Sequence, residues 1–132
     1  MLVFLCRHAQ AAPGEPDELR PLTAEGEAQA VGLGEWLASD GRKPTVVVSS
    51  PLRRARQTAA LVARETGAEL RVDERLLPGA GLAELSAIVG ELGDGPTATV
   101  GHQPDCSEIA LALTGNDPGF PPAGVVTIEL GP

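Results

Sequence analysis

The chain contains no tyrosine, and its only aromatic residues are Phe4, Trp36 and Phe120. Proteins that hold single-stranded nucleic acid do so on aromatic stacking platforms, so that ligand is not expected here. Positive charge is also in short supply, with ten Lys and Arg against eighteen Asp and Glu and a net charge of -8. Nucleic acid and anionic membranes both favour basic surfaces, so neither is an expected partner. Cys6 and Cys106 are the only cysteines, too few for the disulfide framework of a secreted mini-protein, and they are expected to be reduced and buried. No apolar run approaches the length that spans a bilayer, and the opening MLVFLCRH has neither a basic n-region nor a small-residue cleavage site. The expected location is the cytoplasm.

What the chain does contain is an ordinary globular composition, 42% apolar and 21% charged over 132 residues. That length suits one core, and the expectation is a single domain over residues 1–132. With aromatics so scarce, the core must be packed from Leu, Val, Ile and Ala, which suits layered helix and sheet. Strand-like runs are expected at Leu2–Cys6, Thr45–Ser49, Leu70–Val72, Thr97–Val100 and Val125–Leu130. Between them lie four helical patterns. The first is opened by Thr23 as N-cap, carries Ala28, Val31, Leu33, Trp36 and Leu37 at helical spacing, and is stopped by Gly41. The second is expected from Pro51, with Ser50 as its cap, to about Thr66 with Gly67 as its stop. The others cover Leu82–Leu92 and Pro104–Leu113. Alternation of this kind predicts an α/β fold, a three-layer α/β/α sandwich around a mostly parallel open sheet.

Open α/β sheets bind ligands beyond the carboxyl ends of their strands, so the residues that follow each strand carry the functional information. Arg7-His8 follows the first strand, Ser49-Ser50 leading to Arg54 follows the second, and Gly101-His102 follows the fourth. Both histidines of the chain fall in this set. Two imidazoles and two guanidiniums converging on one edge combine a nucleophile or base with fixed positive charge, as an anionic phosphoryl group requires. Arg53, Arg54 and Arg56 occupy the first turns of a helix, where the macrodipole disfavours cations and a bound anion would compensate. For Arg53 and Arg56 the expected role is a solvated face paired with nearby Glu residues.

These residues resemble the histidine phosphatase superfamily, which also contains the phosphoglycerate mutases. Arg7-His8-Ala9 matches its N-terminal Arg-His-Gly or Arg-His-Ala signature. The stretch Ser50-Pro51-Leu52-Arg53-Arg54-Ala55-Arg56-Gln57-Thr58-Ala59 is similar to the segment in which the Arg before Ala binds phosphate, and Val100-Gly101-His102 to the late element that supplies a second histidine. The short length and Arg20-Pro21-Leu22-Thr23 followed by Gly26 look most like the small SixA-type phosphohistidine phosphatases, a minimal version without a large insertion. The resemblance implies His8 as nucleophile, with Arg7, Arg54 and His102 on the phosphoryl group and Arg20 as a further substrate contact.

A neutral His8 would attack phosphorus in line, its other ring nitrogen donating to a backbone carbonyl, and water would hydrolyse the phosphohistidine. A protonated His102 would add a donor to the developing charge. No metal or other cofactor is called for. Larger relatives supply a Glu as acid soon after the third strand, and here Asp73-Glu74-Arg75-Leu76-Leu77-Pro78 has Pro78 in its place. A phosphoramidate leaving group tolerates that loss, which points to protein phosphohistidine as substrate. Glu74, Glu84 and Asp105 are expected to be solvated surface charges. The alternatives are a small phosphomonoesterase of the same superfamily acting on a small phosphorylated substrate, a non-catalytic phosphate-binding or phosphoprotein-binding module, and a zinc site built from Cys6, His8, His102 and Cys106.

Overall fold

The computed structural model describes residues 1–131. Among them, strands β1 (Leu2–Arg7), β2 (Val46–Ser49), β3 (Glu69–Val72), β4 (Thr97–Gly101) and β5 (Val125–Glu129) alternate with helices α1 (Ala24–Ser39), α2 (Arg53–Thr66), α3 (Leu82–Gly90) and α4 (Asp105–Thr114). The strands form one sheet in the order β3-β2-β4-β1-β5, parallel except for β5, which runs antiparallel to β1. The expected α/β sandwich with a mostly parallel sheet is therefore present. From β1 the chain moves outward through β2 to β3, then returns to β4. Parallel crossovers are right-handed, so outward and returning connections lay their helices on opposite faces.

Strand β1 shows both faces covered. Phe4 and Cys6 pack with Leu33, Leu37, Ala55, Ala59 and Val62 of α1 and α2, while Val3 and Leu5 pack with Leu85, Val89, Ile109 and Ala110 of α3 and α4. A strand buried on both sides reads as a continuous apolar run, as Leu2 to Cys6 does. Helix α1 begins as predicted, with the Thr23 hydroxyl accepting from the Gly26 N–H at 2.9 Å. Gly26 has a second purpose, because a Cβ there would overlap the Gln10 carbonyl oxygen. Its bare backbone lets α1 lie directly beneath the loop that follows His8.

Two expectations about the helices are corrected. The buried line of α1 is Gly26, Ala30, Leu33, Gly34 and Leu37 rather than one through Ala28 and Trp36; Trp36 is half exposed and sets its ring edge-on to Phe4. Close packing of α1 on α2 selects that line, since a Cβ on Gly34 would lie 2.9 Å from the Glu65 Cβ and 3.2 Å from the Val62 Cα. Helix α2 starts at Arg53, with Leu52 rather than Ser50 at its N-cap. The Ser50 backbone instead extends the ladder just past β2, its N–H donating to the Val100 carbonyl at 3.0 Å. No helix among the described residues is long and apolar enough to cross a membrane.

Candidate active site

Register alone brings the two histidine segments together. Arg7 of β1 pairs with Gly101 of β4, and the ladder extends one residue further as the His8 N–H donates to the Gly101 carbonyl at 3.0 Å. The His8 and His102 rings consequently stand with centroids 5.3 Å apart. Strand β2 flanks β4 on its other side, so Ser50 lies beside them with its hydroxyl 2.7 Å from His102 Nε2. His102 Nδ1 and Arg7 Nε are buried without a partner among the described residues.

Each ring is held in a definite way. His8 Nδ1 is 2.7 Å from the Ala9 carbonyl oxygen. A carbonyl only accepts, so the proton resides on Nδ1 and Nε2 carries the lone pair. Thr58 ties this loop to α2, its hydroxyl accepting from the Ala9 N–H at 3.0 Å and donating to the Arg54 carbonyl at 2.8 Å. On the other side, the Ala123 N–H donates to the His8 carbonyl at 3.1 Å.

The arginines arrive from three directions. Arg7 sends Nη1 to the Phe120 carbonyl at 2.9 Å. Arg54, its side chain 9% exposed, directs Nη1 to the Asp17 carbonyl at 3.0 Å and Nη2 to the Asp17 carboxylate at 3.2 Å. Arg20 donates from Nε to the Ala12 carbonyl at 2.8 Å and from Nη1 to the same Asp17 carboxylate at 2.9 Å.

A family model described as the Histidine phosphatase superfamily (branch 1) matches residues 3–77, more than half of the chain. The protein belongs to this superfamily. An uncharacterized protein of Picosynechococcus sp. is 34% identical over 142 residues, spanning 99% of this chain and 86% of the relative. A probable phosphoglycerate mutase GpmB of Salmonella paratyphi C is 37% identical over 81 residues, which is 56% of this chain but 36% of that protein. Among solved structures, the protein histidine phosphatase SixA complexed with tungstate matches with a TM-score of 0.88 at 26% identity, over 98% of this chain and 88% of that one.

In this member of the superfamily both rings are held neutral at pH 7. Burial, aided by the Arg54, Arg7 and Arg20 charges and opposed by the Ala9 hydrogen bond, lowers His8 to about 4. Burial, then the His8 ring and Arg54, lowers His102 to about 4 as well. The expectation of a protonated His102 is thus corrected for the protein by itself: among the described residues its ring has the Ser50 hydroxyl as a partner and no carboxylate hydrogen bond to hold a proton there.

Other expectations also change. Asp105 is buried rather than solvated, and its Oδ2 accepts from the Gly79 N–H at 2.8 Å. Glu84 is half-buried and accepts from the Gly81 N–H at the start of α3, while Glu74 is exposed. Arg53 and Arg56 are exposed as expected, but they donate to the Leu19 and Pro51 carbonyls rather than pairing with Glu. The zinc alternative falls, because no group of three or more His, Cys, Asp or Glu among the described residues could hold a metal ion. Cys6 directs its thiol to the Phe4 carbonyl, and Cys106 to the Cys6 carbonyl. Sequence pattern does not mark Asp17, Ser50 or Thr58 as parts of the site. Ser50 and Thr58 lie inside the recognised Ser50–Ala59 stretch, but Asp17 sits in a polar loop with no periodicity to mark it.

Proposed function

We propose that the protein is a phosphatase that passes a phosphoryl group through His8 to water, and that its substrate is a phosphohistidine on another protein. The observation that carries this reading is the 2.7 Å contact of His8 Nδ1 with the Ala9 carbonyl, which leaves Nε2 unprotonated beside Arg54 and His102. The Nε2 lone pair forms a bond to phosphorus as the phosphorus–nitrogen bond of the substrate breaks. The departing electron pair stays on the substrate imidazole, which carries a proton on its other nitrogen. Water then attacks phosphorus, the bond to His8 breaks, and orthophosphate leaves with the proton of water passing to solvent.

Arg7, Arg54 and His102 surround the phosphoryl oxygens in this scheme, and Arg20 adds a contact at the outer edge. An arriving dianion favours the protonated form of His102, so the ring gains its proton with the substrate rather than before it. No dedicated acid is required. Pro78 is exposed in a turn and cannot donate a proton, and the Asp105 carboxylate is engaged by a backbone N–H. An imidazole leaving group fits that lack better than an alkoxide. The match to a structure named as a protein histidine phosphatase supports the same substrate class.

The test is incubation with a radiolabelled phosphohistidine carrier protein, with an aryl phosphate in parallel. Expected are an acid-labile phosphoenzyme that His8→Ala abolishes, rapid release of phosphate from the carrier, and little from the ester. A protein that binds phosphate without ever becoming labelled is a binding module, and faster turnover of the ester makes it a phosphomonoesterase.

A further inference from the structure

Asp17 reaches into the candidate site although no part of the proposed reaction uses it. Its two carboxylate oxygens are divided between two guanidiniums, Oδ2 on Arg54 at 3.2 Å and Oδ1 on Arg20 at 2.9 Å, and its backbone carbonyl takes the other Arg54 Nη. Two oxygens bridging two guanidiniums present the same sign of charge and the same type of acceptor as one edge of a phosphoryl group. The partners differ in how firmly they are held. Arg54 stands on α2 with its side chain 9% exposed, whereas the Asp17 side chain is 59% exposed on the three-residue 3₁₀ turn Asp17–Leu19.

We infer that Asp17 is an internal counter-ligand, whose carboxylate occupies the Arg54–Arg20 edge of the pocket until a phosphoryl group displaces it, and which thereby limits how tightly the site retains phosphate. The inference rests on the reading of Arg54 as a phosphoryl ligand. The cheaper movement is that of the exposed acid, since swinging Asp17 outward exposes no core while moving Arg54 would. The Arg20 hydrogen bond foremost, with the Arg54 charge and hydrogen bond, holds the Asp17 carboxyl below its ordinary value. It is therefore ionised at neutral pH, the form that competes with an anion and the wrong form to donate a proton to a leaving group. A site with five cationic or imidazole groups around orthophosphate would release it slowly, and a resident carboxylate offsets that by competing for the same donors.

The probes are orthophosphate and tungstate, titrated by calorimetry onto the full chain. Asp17→Asn keeps the shape without the charge, and Asp17→Ala removes the side chain. Both are expected to bind each anion about three- to tenfold more tightly than the parent protein, the scale of an exposed ion pair shared between two partners. Glu18→Gln, an equal charge change at the exposed neighbour, is expected to alter binding less than about 1.5-fold. Unchanged or weaker binding in both Asp17 variants overturns the inference, and so does an equal gain in Glu18→Gln, which would mean a general charge effect. If the parent protein binds neither anion, the phosphoryl-site reading itself fails, an outcome distinct from the other two.

Discussion

The two sides, or walls, of the candidate site are built on different principles. One wall rises from the sheet: His8 and Ser50 continue the ladders of β1 and β2 through backbone bonds to Gly101 and Val100 of β4, and His102 follows β4 directly. The other comes from the 12–20 loop, where Asp17 and Arg20 are joined by an ion pair with the acid largely exposed. Hydrogen bonds within a packed sheet cannot shift without breaking the core, whereas an exposed ion pair is worth little and exchanges readily. On the proposed function, groups that must meet phosphorus at a fixed angle belong on the first wall, and groups that adjust affinity can be placed on the second.

That contrast can be broken or sharpened by five measurements. Arg54→Ala should reduce kcat/KM by about 10²- to 10³-fold, the cost of removing one preorganised ligand of the transition-state charge. A loss of less than tenfold would group Arg54, held on α2, with the adjustable residues of the loop. The second concerns pH. kcat/KM reports the free enzyme, and a protonated His8 Nε2 has no lone pair, so the rate should be level above about pH 5 and fall about tenfold per pH unit below about 4. Folding stability should fall over a wider acid window. The unfolded rings take up protons below 6.5 and the folded rings only near 4, so thermal midpoints should drop as pH is lowered through that interval.

Ser50→Ala removes the partner of His102 Nε2, and kcat is expected to fall about five- to tenfold with KM little changed. Steady-state kinetics on a phosphohistidine carrier would show the split, and a change confined to KM would contradict it. The smallest effect is expected on the loop. Arg20→Ala should raise KM about two- to fivefold and leave kcat alone, in keeping with a contact at the exposed edge. A large drop in kcat there would erase the distinction between the walls.

Much of the fold was legible in the chain because its signals are local. The apolar run Leu2–Cys6, the Thr23 cap and the Gly67 stop each act on their own neighbours, and all three stand in the structure as read. Of the candidate site, His8, His102, Arg7 and Arg54 could be picked out because strand ends converge in an open parallel sheet. Ser50 was misassigned because a Ser before Pro has two competing uses, and the choice between them depends on a His 52 positions away. Asp105 was misread for the same kind of reason: its partner, the Gly79 N–H, lies 26 positions upstream.

The order of residues along the chain, by itself, determined the alternation of strand and helix, the two-sided burial of β1 and the grouping of cations and imidazoles after the strands. Only the folded chain decided the proton on His8 Nδ1, the neutrality of His102 and the capture of Arg54 by Asp17. Periodicity and capping act over a few residues, whereas protonation and ion pairing depend on which distant groups share a region from which water is excluded.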